Sequence, residues 1–182
     1  MGWNKLAGSL IKIAETTVSS AVSSVTLTGI DSTYDVYVVK IFGVYFATDR
    51  DSITMRVTTS GTPQTGSNYA YAGKFMGSDV SPFGDYNSSS DTDIRIGLGA
   101  DDSEKVANGI LYLFNFNNAS EFSFVTNEGV GFTSDADSSG VRGFQGGGVY
   151  QIAEANDGVN FFEEFSGANI EGGTFTLYGL KK

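Results

Sequence analysis

The sequence predicts an all-β domain: a β-sandwich or jelly roll of about nine or ten antiparallel strands with a short N-terminal arm. Three observations carry this. Apolar and polar residues alternate with period two in one short run after another. Twenty-four glycines stand against two prolines, and Gly, Ser, Thr, Asn and Asp gather between the apolar runs, where tight turns need them. Helical periodicity is nearly absent. Its one instance is Leu6, Leu10 and Ile13, which fit either a short amphipathic turn or the start of a first strand.

The runs follow in order along the chain. Val25 and Leu27 alternate with Ser24, Thr26 and Thr28. Tyr34, Val36 and Val38 open a β-branched and aromatic run that extends to Phe46. Ile53, Met55 and Val57 alternate with Thr54, Arg56 and Thr58. Tyr69, Tyr71 and Phe75 form a weaker run, loosened by Gly73. Ile94, Ile96 and Leu98 alternate with Asp93, Arg95 and Gly97. Ile110 to Phe116 is apolar on both faces as far as Asn115, the mark of a central strand. Phe122 and Phe124 flank Ser123, and Val149–Ile152 and Val159–Phe162 are short runs. Phe175 and Leu177 alternate with Thr174, Thr176 and Tyr178. Gly77–Asp93 and Ser134–Gly148 are the longest turn-rich segments and are expected to be loops. The organisation expected is one sandwich over residues 17–182, with residues 1–16 as a docking arm or a first strand.

Composition narrows the chemistry. The 182 residues include no cysteine and no histidine, which removes thiolate nucleophiles, Ser-His-Asp catalysis and His- or Cys-ligated metals. Carboxylate pairs, Lys or Tyr chemistry and carboxylate-bound metals survive. A net charge of −10 opposes nucleic-acid binding, which needs a cationic surface. The longest apolar run, Tyr37 to Phe46, is interrupted by Lys40 and falls short of the roughly 20 residues of a membrane helix. Lys12 breaks the apolar N-terminal stretch, so no signal peptide is expected.

Candidate sites are few. Asp49, Asp51, Asp91, Asp93, Glu163 and Glu164 include the carboxylates a glycosidase would pair across a sugar, but exposed loop carboxylates are the plainer reading. Asp135-Ala136-Asp137-Ser138-Ser139-Gly140 matches the first half of an EF-hand calcium loop. Gly146 stands where the bidentate Glu belongs, so a glycine-rich tip is preferred to a metal site. Asn87-Ser88-Ser89 and Asn118-Ala119-Ser120 fit the glycosylation sequon. Tyr69, Tyr71 and Tyr86 are candidates for stacking on sugars or proteins. Tyr86, with Phe83 and Asn87 in a polar, Ser-rich stretch, is the favoured contact loop. No cofactor and no catalytic residue are expected.

The two ends of the chain resemble a recurrent pattern in small β-sandwich virion proteins of tailed bacteriophages. The last residues, Phe165 to Lys181, carry an apolar strand, a Gly172-Gly173 turn and a final Thr174-Phe175-Thr176-Leu177-Tyr178-Gly179-Leu180 strand. At the other end stand Trp3, the apolar Leu6–Ile13 and the Ser/Val-rich Thr17–Thr28, followed by Gly29–Val39, with Arg56, Gly61, Asn68 and Tyr69 beyond. The resemblance implies a sandwich, often trimeric, displayed as a capsid decoration, head spike or fibre tip, and it implies no catalytic residues.

The expected function is therefore that of a virion structural protein on the particle exterior, a decoration or head-spike protein. Its partner would be the major capsid or tail protein, reached through Trp3, Leu6, Leu10 and Ile13, and the chain would form a homo-oligomer. The alternative is a tail-fibre or carbohydrate-binding tip that contacts a host glycan.

Overall fold

A computed structural model of the chain describes residues 9–48, 51–79, 82–101, 103–134, 139–164 and 167–181. The described residues form thirteen strands. In chain order these are β1 (Leu10–Val18), β2 (Ser24–Thr28), β3 (Val36–Phe46), β4 (Asp51–Thr59), β5 (Thr62–Pro63), β6 (Tyr69–Gly77) and β7 (Gly84–Asp91). They continue with β8 (Ile94–Ala100), β9 (Ala107–Phe114), β10 (Ser123–Ser134), β11 (Ser139–Tyr150), β12 (Gly158–Glu163) and β13 (Ile170–Leu180).

All pairings are antiparallel and build two sheets. The larger has eight strands in the order β1-β13-β3-β9-β10-β11-β6-β7, and the smaller has β2-β12-β4-β5 with β8 also on β4. The all-β sandwich read from the sequence is what the chain forms.

The core lies between the sheets. Val39, Ile41, Leu111, Leu113, Phe175 and Leu177 from the larger sheet meet Leu27, Ile53, Met55, Ile94, Val159 and Phe161 from the smaller. In β2, β4, β8, β12 and β13 these are period-two positions of the sequence, because alternate residues of a strand point to one face; in β3 the inward residues are Val39 and Ile41, of the opposite parity to Tyr34, Val36 and Val38. Phe161 and Phe175 join the layers with ring centroids 5.4 Å apart.

Several expectations are corrected. Leu10–Val18 is an edge strand paired along its length with β13, so the first-strand alternative holds there and residues 10–16 are not a free arm. Ile13 packs against the core instead of standing free to dock. Leu10 is half-buried opposite Leu180, while Trp3 and Leu6 lie outside the described residues. The segments expected as loops contain β7 and the twelve-residue β11. Both were hidden for a physical reason. Strand β7 is a sheet edge and carries serines, and β11 carries glycines where neighbours come too close for a side chain. At Gly146 a Cβ would lie 2.7 Å from the Tyr86 hydroxyl.

Candidate interaction surface

The outer faces of the two sheets differ in chemistry. That of the smaller sheet is polar and satisfied within the chain. Asn160 donates to Thr26 Oγ1 at 2.9 Å, and Thr54 Oγ1 donates to Asp93 at 2.6 Å. The Arg56 guanidinium lies 4.2 Å from the centroid of the Phe162 ring and 3.4 Å from Asp93 Oδ2.

The outer face of the larger sheet carries exposed apolar side chains set among polar and charged ones, Lys40, Lys74, Thr126, Glu128 and Gln145. Phe124, Val130 and Phe132 of β10 alternate with buried Ser123, Val125, Asn127 and Thr133. They therefore line the outer side, as do Phe42 of β3, Tyr112 of β9, Met76 of β6 and Val141 of β11. Phe42 is 72% exposed and Val130 47%. Isolated exposed apolar residues are ordinary, but exposed apolar side chains on five neighbouring strands, β3, β9, β10, β11 and β6, suit a surface that another subunit covers. Eight strands spaced ~4.8 Å apart make this face about 34 Å wide. Near its centre is a hollow of about 680 Å³, bounded by Phe42, Ile110, Val130 and Met76, with Gly109 and Gly129 in its floor.

The predicted contact loop is not a loop. Tyr86 is only 7% exposed. It points inward from β7 across Gly73 and Gly146, and burial raises its pKa. Phe83 and Asn87 are exposed as expected, but Tyr86 does not join them at the surface. Tyr69 is fully buried, and its hydroxyl donates to the Gln64 carbonyl at 2.8 Å and accepts from Val57 N–H at 3.3 Å. Tyr71 is half-buried, its hydroxyl donating to Asp91 at 3.2 Å. Its pKa is pushed up to about 12, by burial first and by Asp91 second.

No protein-family model matches this chain, and no curated protein matches it.

The acidic candidates hold local structure. Glu163 accepts backbone N–H bonds from Gly167 at 2.6 Å and Ala168 at 3.1 Å. Asp93 accepts from Thr54, Thr92 and Arg56. Asp49 and the Asp135–Ser138 part of the calcium-like loop lie outside the described residues. Among the described residues, no three acidic side chains gather as metal ligands.

Sequence reasoning missed a buried polar cluster between the sheets. A small cleft of about 240 Å³ is lined by Ser52, Tyr86, Arg95, Arg142, Phe144 and Glu164, among others. Glu164 pairs there with Arg95 Nε, and Arg142 grips Asp79, its Nη2 donating to Oδ2 at 3.0 Å. Among the described residues, Glu164 Oε2, Tyr86 Oη and Asn127 Oδ1 are buried without a hydrogen-bond partner. Burial drives the Glu164 pKa from its ordinary 4.5 to about 7, against the lowering pull of Arg95 and Ser52. The sequence signal was the pair of charges after two aromatics in Phe161-Phe162-Glu163-Glu164, which singled out Glu164 as a carboxylate without its partners.

The pH consequence has a definite sign. Between pH 4.5 and about 7 the folded state holds a proton on Glu164 that the unfolded state releases. The contribution of Glu164 to stability is therefore fully present below this window and is lost as pH rises through it, by ~3 kcal/mol at full extent. Thermal unfolding should give a higher Tm at pH 5 than at pH 8, and Glu164→Gln should flatten that difference. An equal slope in wild type and variant would reject the assignment to Glu164.

Proposed function

We propose that this protein is a structural subunit on the exterior of a tailed-phage particle, a capsid decoration or head-spike protein that works by covering and joining surfaces. The observation that carries this reading is the set of exposed apolar side chains across five neighbouring strands on the outer face of the eight-stranded sheet, against a polar and internally satisfied face on the other sheet. Such a face fits a protein that associates with other subunits.

The segments that resemble virion proteins support the reading through their roles in the fold. Strands β1, β13 and β3 are neighbours, so the two ends of the chain close one three-stranded unit. The Tyr37 hydroxyl locks the Gly29–Val39 segment by donating to the Asp31 carbonyl at 2.6 Å and accepting from Asp31 N–H at 2.9 Å. Tyr69 ties down the connection between β4 and β6 in the same manner. These residues hold backbone in place, as expected of a structural module, and a chain end tied into a sheet does not fray.

The test is quantitative mass spectrometry of purified particles. A copy number approaching that of the shell subunit supports decoration. A few to a few tens per particle would move the protein to a vertex or tail and favour the tip alternative. Absence from the particle would overturn the reading. Docking through the N-terminus is tested by deleting residues 1–8, which leaves β1 whole. The truncated protein is expected to fold with unchanged Tm and to lose particle binding, and retained binding would place the contact elsewhere.

A further inference from the structure

We propose that the outer face of the larger sheet pairs with the same face of a second copy, about a two-fold axis that runs along β9. The pairing rests on reading that face as the working surface. The deciding feature is one cross-strand row. Registers place Lys40 of β3 opposite Ile110 of β9, and Ile110 opposite Glu128 of β10. All three point outward, so a cation and an anion flank an aliphatic residue on the central strand, about 10 Å apart. Among the described residues neither charge has an ion-pair partner, and the Lys40 ammonium lies 5.3 Å from the Tyr178 ring centroid.

A two-fold along β9, in the plane between facing copies, exchanges the two sides of the row. Lys40 of one copy then stands over Glu128 of the other, and Glu128 over Lys40, while Ile110 meets Ile110. Aligned sheets rotate by about 30° when they pack, which displaces residues one strand from the axis by only about 2.5 Å, within reach of a lysine. The next row obeys the same exchange. Val130 is opposite Asn108, and Phe42 lies in the irregularity of β3 between Ile41 and Val44 beside Asn108, so Phe42 of each copy faces the Val130 side of the other. Beside Val130 the next strand carries Gly143, which has no side chain and leaves room for the ring. Phe42 is the most exposed large apolar residue described, and the hollow bounded by Val130 and Met76 receives it. A self-complementary face of this kind defines an isologous dimer, in place of the trimer that the resemblance implies.

Charge reversal tests the pairing. Lys40→Glu and Glu128→Lys each place like charges across the axis twice, and each is expected to weaken dimerisation at least about tenfold in sedimentation velocity. The double variant Lys40→Glu/Glu128→Lys restores opposite charges and is expected to return to within about threefold of wild type. Both side chains are solvent-facing, and matching circular dichroism and Tm verify folding. Because the chain has no cysteine, Ile110→Cys with a short bismaleimide should give a cross-linked dimer, while Thr26→Cys on the other sheet should not. A monomeric wild type at 200 μM, a trimer, or a dimer indifferent to both reversals would overturn the proposal. A monomer that still decorates particles would overturn the pairing alone. A charge-dependent dimer absent from particles would overturn the virion reading alone.

Discussion

Replacing Phe161 with alanine is expected to lower stability by about 3–5 kcal/mol, the range for a fully buried phenylalanine. Phe161 has no exposed surface and lies on β12, the strand between β2 and β4. Its ring meets Phe175 of the other sheet with centroids 5.4 Å apart. The truncation leaves a void between two hydrogen-bonded layers that cannot collapse onto it without breaking ladder bonds. For a domain of this size the loss corresponds to a fall in Tm of roughly 10–15 °C. Calorimetry or urea titration measures it. Phe162→Ala, on the opposite face of the strand beneath Arg56, serves as the comparison. It should cost clearly less, because that ring is only half-buried. Equal losses would contradict the placement of the core.

Gly131→Ala is expected to be a strongly damaging single-carbon addition. Gly131 of β10 points inward, and a Cβ there would collide with the Gly99 carbonyl oxygen of β8 and reach 3.1 Å from the Ala107 Cβ. The obstacle at Gly99 is backbone, which cannot rotate aside. One methyl group must therefore push the two sheets apart or bend β10. Overpacking typically costs about 1–3 kcal/mol, and a collision with backbone belongs at the upper end. Gly143→Ala, whose nearest neighbour is the flexible Met76 Cε at 3.4 Å, should be close to neutral. Denaturant midpoints for the pair would separate the two, and equal midpoints would reject the close approach of β8 and β10.

The glycines show where sequence reading reached its limit. Their abundance was legible as turn chemistry, and at Gly61, with φ 72°, that reading holds. In β11 the same residue marks something else. Gly146 lies in a strand because the Tyr86 ring lies across it, and nothing near Gly146 in sequence announces Tyr86. Strand β7 was hidden in a parallel way. Its Ser-rich composition suits an edge whose outer residues meet water, and Tyr86, the favoured contact residue of that stretch, is the one that turns inward. A short amphipathic segment with no clear period does not reveal which side faces the core.

The sequence alone determined the all-β class, the inward positions of β2, β4, β8 and β13, and the removal of thiol and imidazole chemistry. These follow from side-chain period and from composition, which are local properties of the chain. Only the tertiary structure decided that Lys40, Ile110 and Glu128, spread over 88 positions of the chain, stand in one row on the outer face of the larger sheet. It also decided that Glu164 sits beside Arg95 and Tyr86 in the interior. Strand order and register set these neighbourhoods, and both depend on pairings between segments far apart in the chain, which no local pattern encodes.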